Sequence, residues 1–171
     1  MIRRLAAAAT VLLALAAPAS AEGSAEPAAD ARFVSQCLDV HLPRGAAAAE
    51  RRCVGLLSVS CMNRPEGATT VGQSACLIRE AAAWESVMRA QLAALSDRVA
   101  RHDAVIEPAG AAAPALAEAQ AAWADYAEAE CRYAHALWGQ GSFRQVAGAD
   151  CRLNTAARRA IQLRAQIGFE N

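Results

Sequence analysis

Six cysteines are the residues of this sequence whose chemistry is easiest to predict. They are Cys37, Cys53, Cys61, Cys76, Cys131 and Cys151. An even number of cysteines in an exported chain is typical of disulfide bonds, so three bonds are expected. A zinc site usually contains a closer pair such as C-x2-C, whereas the shortest separation here is that between Cys53 and Cys61. The spacing therefore favours disulfides and predicts no metal site.

The segment 120–131, QAAWADYAEAEC, combines an amide, two aromatic rings and a cysteine. Gln120, Trp123 and Tyr126 recur at a period near 3.6 residues, so they lie along one side of a predicted helix. Exposed rings could stack on a sugar or another ligand, but aromatic residues at helical spacing more often form a core. We therefore interpret this side as core-facing. Gln120 would then be either a polar residue at the rim or a buried hydrogen-bonding group.

No pattern of side chains in this sequence is typical of a catalytic site. The three histidines are His41, His102 and His135, and none belongs to an H-x-E or H-E-x-x-H motif. His135 follows Cys131 by four residues, but a disulfide-bonded sulfur is not a nucleophile. We therefore predict a protein that is not an enzyme and that needs no cofactor or metal.

The N-terminus has the features of a cleaved export signal. Two arginines precede an apolar run at 5–17, and an A-x-A cleavage motif ends at Ala21. The run is shorter than the roughly 20 residues of a membrane-spanning helix. The first cysteine is Cys37, so none follows the run to carry a lipid. Residues 1–21 are therefore predicted to be a signal peptide, and the mature chain to be periplasmic or secreted without a membrane anchor.

The removal of 21 residues from 171 leaves 150, which is enough for one domain with a core. The signal peptide contains two of the 17 basic residues and none of the 17 acidic ones, so the mature net charge is −2. This balance gives no indication of nucleic-acid binding. Residues 22–30 are small and polar and are predicted to be a flexible lead-in to a single domain at 31–171.

Apolar periodicity predicts an all-α protein, a small disulfide-stapled bundle of about five helices. The predicted helices cover about 31–41, 46–62, 76–102, 116–137 and 151–167, separated by Gly- and Pro-containing segments that include loops at 63–75 and 139–150. The core side of the fourth helix is predicted to contain Leu116, Ala119, Trp123, Tyr126, Ala134 and Leu137. No stretch shows the alternation of a β-strand.

The helix order makes the disulfide pairing predictable. Cys131 and Cys151 flank one loop, Cys61 and Cys76 flank the other, and Cys37 and Cys53 remain to bridge the first hairpin. Neighbouring antiparallel helices bring such positions within disulfide reach. The pair Cys131–Cys151 is predicted most directly, whereas the other four cysteines could be exchanged among themselves.

Three stretches resemble motifs of the lysozyme inhibitor LprI-like N-terminal domain family. Residues 120–131, with Gln120, Trp123, Tyr126 and Cys131, resemble its signature Q-x-x-W-x-x-Y-R-D-x-x-C. Cys76, Glu80 and Trp84 resemble its C-x3-E-x3-W stretch, and Cys151, Thr155 and Arg158 resemble its closing C-x-x-x-T-x-x-R. The resemblance covers about residues 76–165. This sequence departs from the family pattern after Tyr126. Ala127 and Glu128 replace the usual Arg-Asp there, which removes a possible ion pair.

The resemblance implies an exported helical protein that acts by binding, because the namesake of the family is a lipoprotein inhibitor of lysozyme. The expected function is inhibition of lysozyme or a similar muramidase, and the expected partner is lysozyme or another cell-wall hydrolase. The alternative is a structural or stress-related envelope protein that inhibits nothing. A weaker alternative is an enzyme that acts on cell-wall material.

Two loops carry side chains suited to a contact with a lysozyme cleft. The loop that contains Ser142, Phe143 and Arg144 offers a hydroxyl, an aromatic anchor and a guanidinium that can pair with a carboxylate. The loop at 63–67 offers Arg64. Both loops could instead be simple connections between helices.

Overall fold

The computed structural model describes residues 22–106 and 111–167. Its α-helices are α1 Glu22–His41, α2 Ala46–Cys53, α3 Leu56–Met62, α4 Thr70–Asp103, α5 Ala112–Ala136 and α6 Phe143–Ile167. Short 3-10 helices at Leu42–Arg44 and Pro65–Ala68 precede α2 and α4. These two ranges contain no β-strand, which confirms the predicted all-α class. The predicted signal peptide and its cleavage site at Ala21 lie outside the described residues.

The helices α4 and α6 form the centre of the bundle and run parallel to each other. Near the start of both, the Ser74 hydroxyl donates to the backbone oxygen of Gln145 over 3.4 Å. Further along both helices, Arg164 of α6 donates to the side-chain oxygen of Gln91 of α4 over 3.3 Å. Trp84 of α4 is fully buried in the same hydrophobic cluster as several α6 residues, namely Leu153, Ala156, Ala157, Ala160 and Leu163. Small alanines on α6 leave room for the large ring of α4.

The helix α5 returns the chain antiparallel to α4 and α6 and lies at the edge of the core. Trp123 and Leu116 are partly buried against the core, whereas Cys131 is the buried residue of this helix. Tyr126 and Leu137, both predicted to face the core, are 58% and 64% exposed. That prediction was wrong, as it was for exposed Ala119. The helix contacts its neighbours over a narrower stripe than its apolar sequence indicates.

The predicted flexible lead-in at 22–30 forms the first part of α1. Asp30 is buried in this helix and accepts two hydrogen bonds from Arg79 of α4, at 2.7 and 2.9 Å. This pair joins the last residue of the segment to α4.

The predicted helix at 46–62 is divided into α2 and α3. Val54 is extended, and Gly55 has a φ of +93°, which glycine adopts without strain. The predicted loop at 63–75 is also shorter, because α4 begins at Thr70 with the Thr69 hydroxyl accepting from the backbone N–H of Gly72. Most of the predicted loop at 139–150 is helical, because α6 begins at Phe143.

The structure pairs the six cysteines in the arrangement expected from the helix order. The bonds are Cys37–Cys53, Cys61–Cys76 and Cys131–Cys151, with Cα–Cα distances of 5.8, 5.6 and 5.4 Å. Each bond joins two consecutive helices across the segment that connects them: α1 to α2, α3 to α4 and α5 to α6. In the chain-entropy model, a loop of this length contributes about 3 kcal/mol to stability by restricting the unfolded chain.

The start of α5 depends on one carboxylate at the end of α4. Asp103 accepts hydrogen bonds from the backbone N–H groups of Ala113 (2.7 Å) and Ala112 (3.1 Å). The bond from Ala113 is the main reason why the pKa of Asp103 lies below its ordinary value. Asp103 therefore holds the N-terminus of α5 beside α4.

We expect Asp103→Asn to lower the melting temperature at neutral pH and to lose this effect in acid. Because the pKa is lower in the folded state, ionised Asp103 stabilises the fold above the ordinary pKa of about 3.9, and its contribution disappears as the pH falls through the folded-state pKa. Thermal unfolding followed by circular dichroism between pH 3 and 7 measures this. Asp97→Asn, at an exposed position of α4, is the control. An equal effect of both substitutions at every pH would contradict the proposed role.

Candidate functional site

Both candidate binding loops lie at the same end of the bundle. This end contains the starts of α4 and α6 and the end of α5, and the hydrogen bond from Ser74 to Gln145 joins its two halves. We call the surface formed by residues 63–68 and 137–144 the loop end. The structure places both loops at the end of the bundle where α4 and α6 begin.

The second half of the loop end presents two aromatic rings in contact. The rings of Trp138 and Phe143 have centroids 4.4 Å apart and an interplanar angle of 60°. Their side chains remain 50% and 40% exposed, and Leu137 beside them is 64% exposed. Single exposed apolar residues are common on protein surfaces, but a contiguous group is more typical of an interaction site.

Internal hydrogen bonds give the 137–142 turn a defined shape. Gly139 has a φ of +52°, and Gly141 donates its backbone N–H to the Trp138 oxygen at 2.9 Å. Arg144 donates to the backbone oxygen of Gly139 at 3.3 Å and to the side-chain oxygen of Gln140 at 3.1 Å. Part of the Arg144 guanidinium is therefore used to hold the turn.

The first half of the loop end is the 3-10 turn after α3. Arg64 is exposed there, and its backbone oxygen accepts from the N–H of Gly67 at 2.9 Å. A Cβ atom on Gly72 would lie 1.9 Å from the backbone oxygen of Glu66, so only glycine allows α4 to approach the turn this closely. The Cys61–Cys76 bond connects the helices on both sides of the turn.

The family-like residues Glu80 and Trp84 form a buried structural centre that has no access to solvent. Both side chains are 0% exposed. The Glu80 carboxylate accepts from the backbone N–H of Gly55 (2.7 Å), the backbone N–H of Ser58 (2.7 Å) and Trp84 Nε1 (3.1 Å). The carboxylate thereby satisfies N–H groups at the start of α3 that lack helical partners. This role is structural rather than catalytic.

The other family-like residues lie at separate places along α5 and α6. Gln120 accepts from Arg159 at 2.9 Å, which identifies it as a hydrogen-bonding group between helices. The Thr155 hydroxyl donates to the Cys151 oxygen at 2.9 Å, and Arg158 pairs with Glu50 of α2 at 2.8 Å. The contacts of Gln120 and Arg158 connect helices, whereas that of Thr155 lies within α6, and together they do not form one polar centre.

Sequence reasoning missed Arg159, a buried arginine on α6. It is 7% exposed, and burial lowers its pKa. The motif resemblance includes its neighbour Arg158 but not Arg159. The signal was present, because Arg159 lies between Ala156 and Leu163 on the apolar side of the last predicted helix.

A groove of about 850 Å³ lies between α4, α5 and α6. Its walls include Ile78, Met88, Trp123, His135 and Thr155. Within the described residues, no group of three or more His, Cys, Asp or Glu side chains could hold a metal ion, and no helix there is long and apolar enough to cross a membrane.

We expect Glu80→Gln to lower the free energy of unfolding by about 2 to 4 kcal/mol. The amide keeps one acceptor oxygen but places an N–H₂ group against a buried N–H donor. Chemical denaturation of the oxidised protein measures the change. The control is Glu118→Gln at an exposed position of α5. Similar small effects of both substitutions would contradict the structural role of Glu80.

Comparison with known proteins gives one result that agrees with this architecture. The family model described as "Lysozyme inhibitor LprI" matches residues 61–163, which is more than half of the chain. The match includes the loop end from Cys61, the buried Glu80 and the Cys131–Cys151 hairpin. No curated protein and no solved structure matches significantly. On the family match, this chain belongs to the lysozyme inhibitor LprI family.

Proposed function

We propose that this protein is exported, binds lysozyme or a similar muramidase through its loop end, and thereby inhibits it. Family membership is the observation that carries the proposal. Three disulfides support export, because such bonds form and persist in oxidising compartments. The signal peptide proposed at residues 1–21 would deliver the mature chain to the periplasm or the exterior.

The composition of the loop end supports its role as the contact surface. Binding energy in protein complexes is concentrated in a few aromatic and arginine residues. Trp138 and Phe143 supply an exposed aromatic pair on one half, and Arg64 supplies an exposed guanidinium on the other half. Both halves lie at the end of the bundle where α4 and α6 begin, and we expect one partner to contact both.

The chemistry of a lysozyme cleft is complementary to this surface. Such a cleft contains one protonated and one ionised carboxyl group, and it binds sugar rings. An inserted aromatic pair would fill space normally taken by sugar, and an arginine would pair with the ionised carboxylate. Arg64 suits this pairing better than Arg144, because Arg144 already donates to Gly139 and Gln140.

The rigidity of its two turns also supports the loop end as the contact surface. The Cys131–Cys151 bond holds the helices on both sides of the 137–142 turn, and the Cys61–Cys76 bond does so for the 3-10 turn. A loop that is already ordered loses less conformational entropy when it binds. The stapled turns therefore suit an inhibitor, whose binding loops must keep their shape in the cleft.

We expect the double substitution Trp138→Ala and Phe143→Ala to weaken lysozyme binding by about 2 kcal/mol or more, because the two rings would act as the anchor. The free energy of unfolding should change by about 1 kcal/mol or less, because both rings are half-exposed. Retention on immobilised lysozyme and clearing of a cell-wall suspension measure the effect. Phe33→Ala, at a 47% exposed ring of α1, is the control. Equal binding by both variants would exclude the aromatic pair as the contact.

We expect Arg64→Ala to weaken inhibition by at least about tenfold, since a charge-assisted hydrogen bond contributes about 1.5 to 3 kcal/mol. Arg144→Ala should reduce it less and act mainly through the shape of the turn. Inhibition constants from the same turbidity assay test both, with Arg32→Ala on the exposed side of α1 as the control. Unchanged inhibition in both loop variants would contradict the loop mechanism. If the parent protein neither binds lysozyme nor inhibits it, the alternative of a non-inhibitory envelope protein is favoured.

A further inference from the structure

Within the part of the chain that the structure describes, the buried guanidinium of Arg159 has no carboxylate partner. Its Nε donates to Gln120 and its NH1 donates to Gln162, both at 2.9 Å, whereas its NH2 is enclosed and has no hydrogen-bond partner. Among the residues that the structure describes, no salt bridge involves Arg159. Burial of a charge is costly unless it is paired, so this arrangement indicates an acceptor group that the residues described by the structure do not supply.

The amides next to Arg159 add further donors. A guanidinium only donates, so Gln120 and Gln162 direct their oxygens towards it, which leaves only their N–H₂ groups to contact another ligand. Arg159 NH2 and these two amides thus provide only N–H donors. Such an excess of donors fits an anionic oxygen ligand, and a planar guanidinium fits a carboxylate best.

Trp123 connects this donor group to the groove between α4, α5 and α6. Its ring lies 5.9 Å from the central carbon of the Arg159 guanidinium, and it also forms part of the groove wall. The groove has the volume of a small-molecule site. Its remaining wall includes apolar side chains such as Ile78 and Met88. Arg159 itself does not line the groove, so a ligand in the groove reaches the guanidinium only if the Trp123 ring rotates.

We propose that Arg159, with the amides of Gln120 and Gln162, binds the carboxylate of a small organic acid whose apolar body occupies the groove. The carboxylate pairs with the enclosed NH2, and the displaced Trp123 ring covers the apolar body. This site lies along the α5–α6 contact and does not include the loop end, so it is independent of lysozyme binding.

The test compares benzoate with benzamide, which has the same shape and no charge. The ¹⁵N-labelled mature protein is titrated with each at constant ionic strength, and the indole N–H signal of Trp123 is followed by NMR. Its assignment comes from Trp123→Phe and Trp138→Phe. We expect a saturable shift with benzoate and at least about tenfold weaker binding of benzamide, because benzamide lacks the charge-assisted pairing.

Two variants identify the residue responsible. Arg159→Met should remove the saturable benzoate response, whereas Arg158→Met, which loses only the surface pair with Glu50, should keep it. The proposal is overturned if benzoate gives no saturable shift, if benzamide binds equally well, or if Arg159→Met binds benzoate as the parent does. If Arg159→Met does not fold, the comparison of benzoate with benzamide on the parent protein decides.

Discussion

The hydrogen bonds of the buried Glu80 carboxylate determine how the first half of the fold is arranged. A carboxylate without solvent contact requires donors from the protein, and it receives them from Gly55, Ser58 and Trp84. These bonds fix the break between α2 and α3, which directs α3 back along α4. The Cys61–Cys76 bond and the 3-10 turn then follow from the position of α3. The place of Arg64 at the loop end therefore depends on a group deep in the core.

The second half of the fold, from α4 to α6, depends on a different constraint, which is the parallel packing of α4 and α6. Two long helices of one chain can run parallel only if the chain returns between them. Between α4 and α6, the helix α5 makes this return. Asp103 sets its beginning and the Cys131–Cys151 bond sets its end. Because α5 only completes the return, it buries little of its surface and leaves Tyr126 and Tyr133 exposed. The tight turn after it carries the aromatic pair of the loop end.

The sequence predicts what depends on local spacing. Cysteines on both sides of each turn predict the disulfides, and apolar periodicity predicts the helical class and the long α4. It does not predict which side of an alanine-rich helix is covered, so Tyr126 was placed in the core. It also does not predict contacts between distant residues, such as Arg79 with Asp30 or Glu80 with Gly55. Nor does the sequence predict that Arg159 lacks a carboxylate partner among the described residues.

Hydrogen–deuterium exchange tests whether the loop end is the surface that binds lysozyme. The oxidised mature protein is exchanged alone and with an excess of catalytically active lysozyme, and peptides are compared by mass spectrometry. We expect slower exchange in the complex for peptides covering 63–68 and 137–144, with α1 unchanged. Protection confined to α1 and α2, or no protection while lysozyme is inhibited, would contradict it.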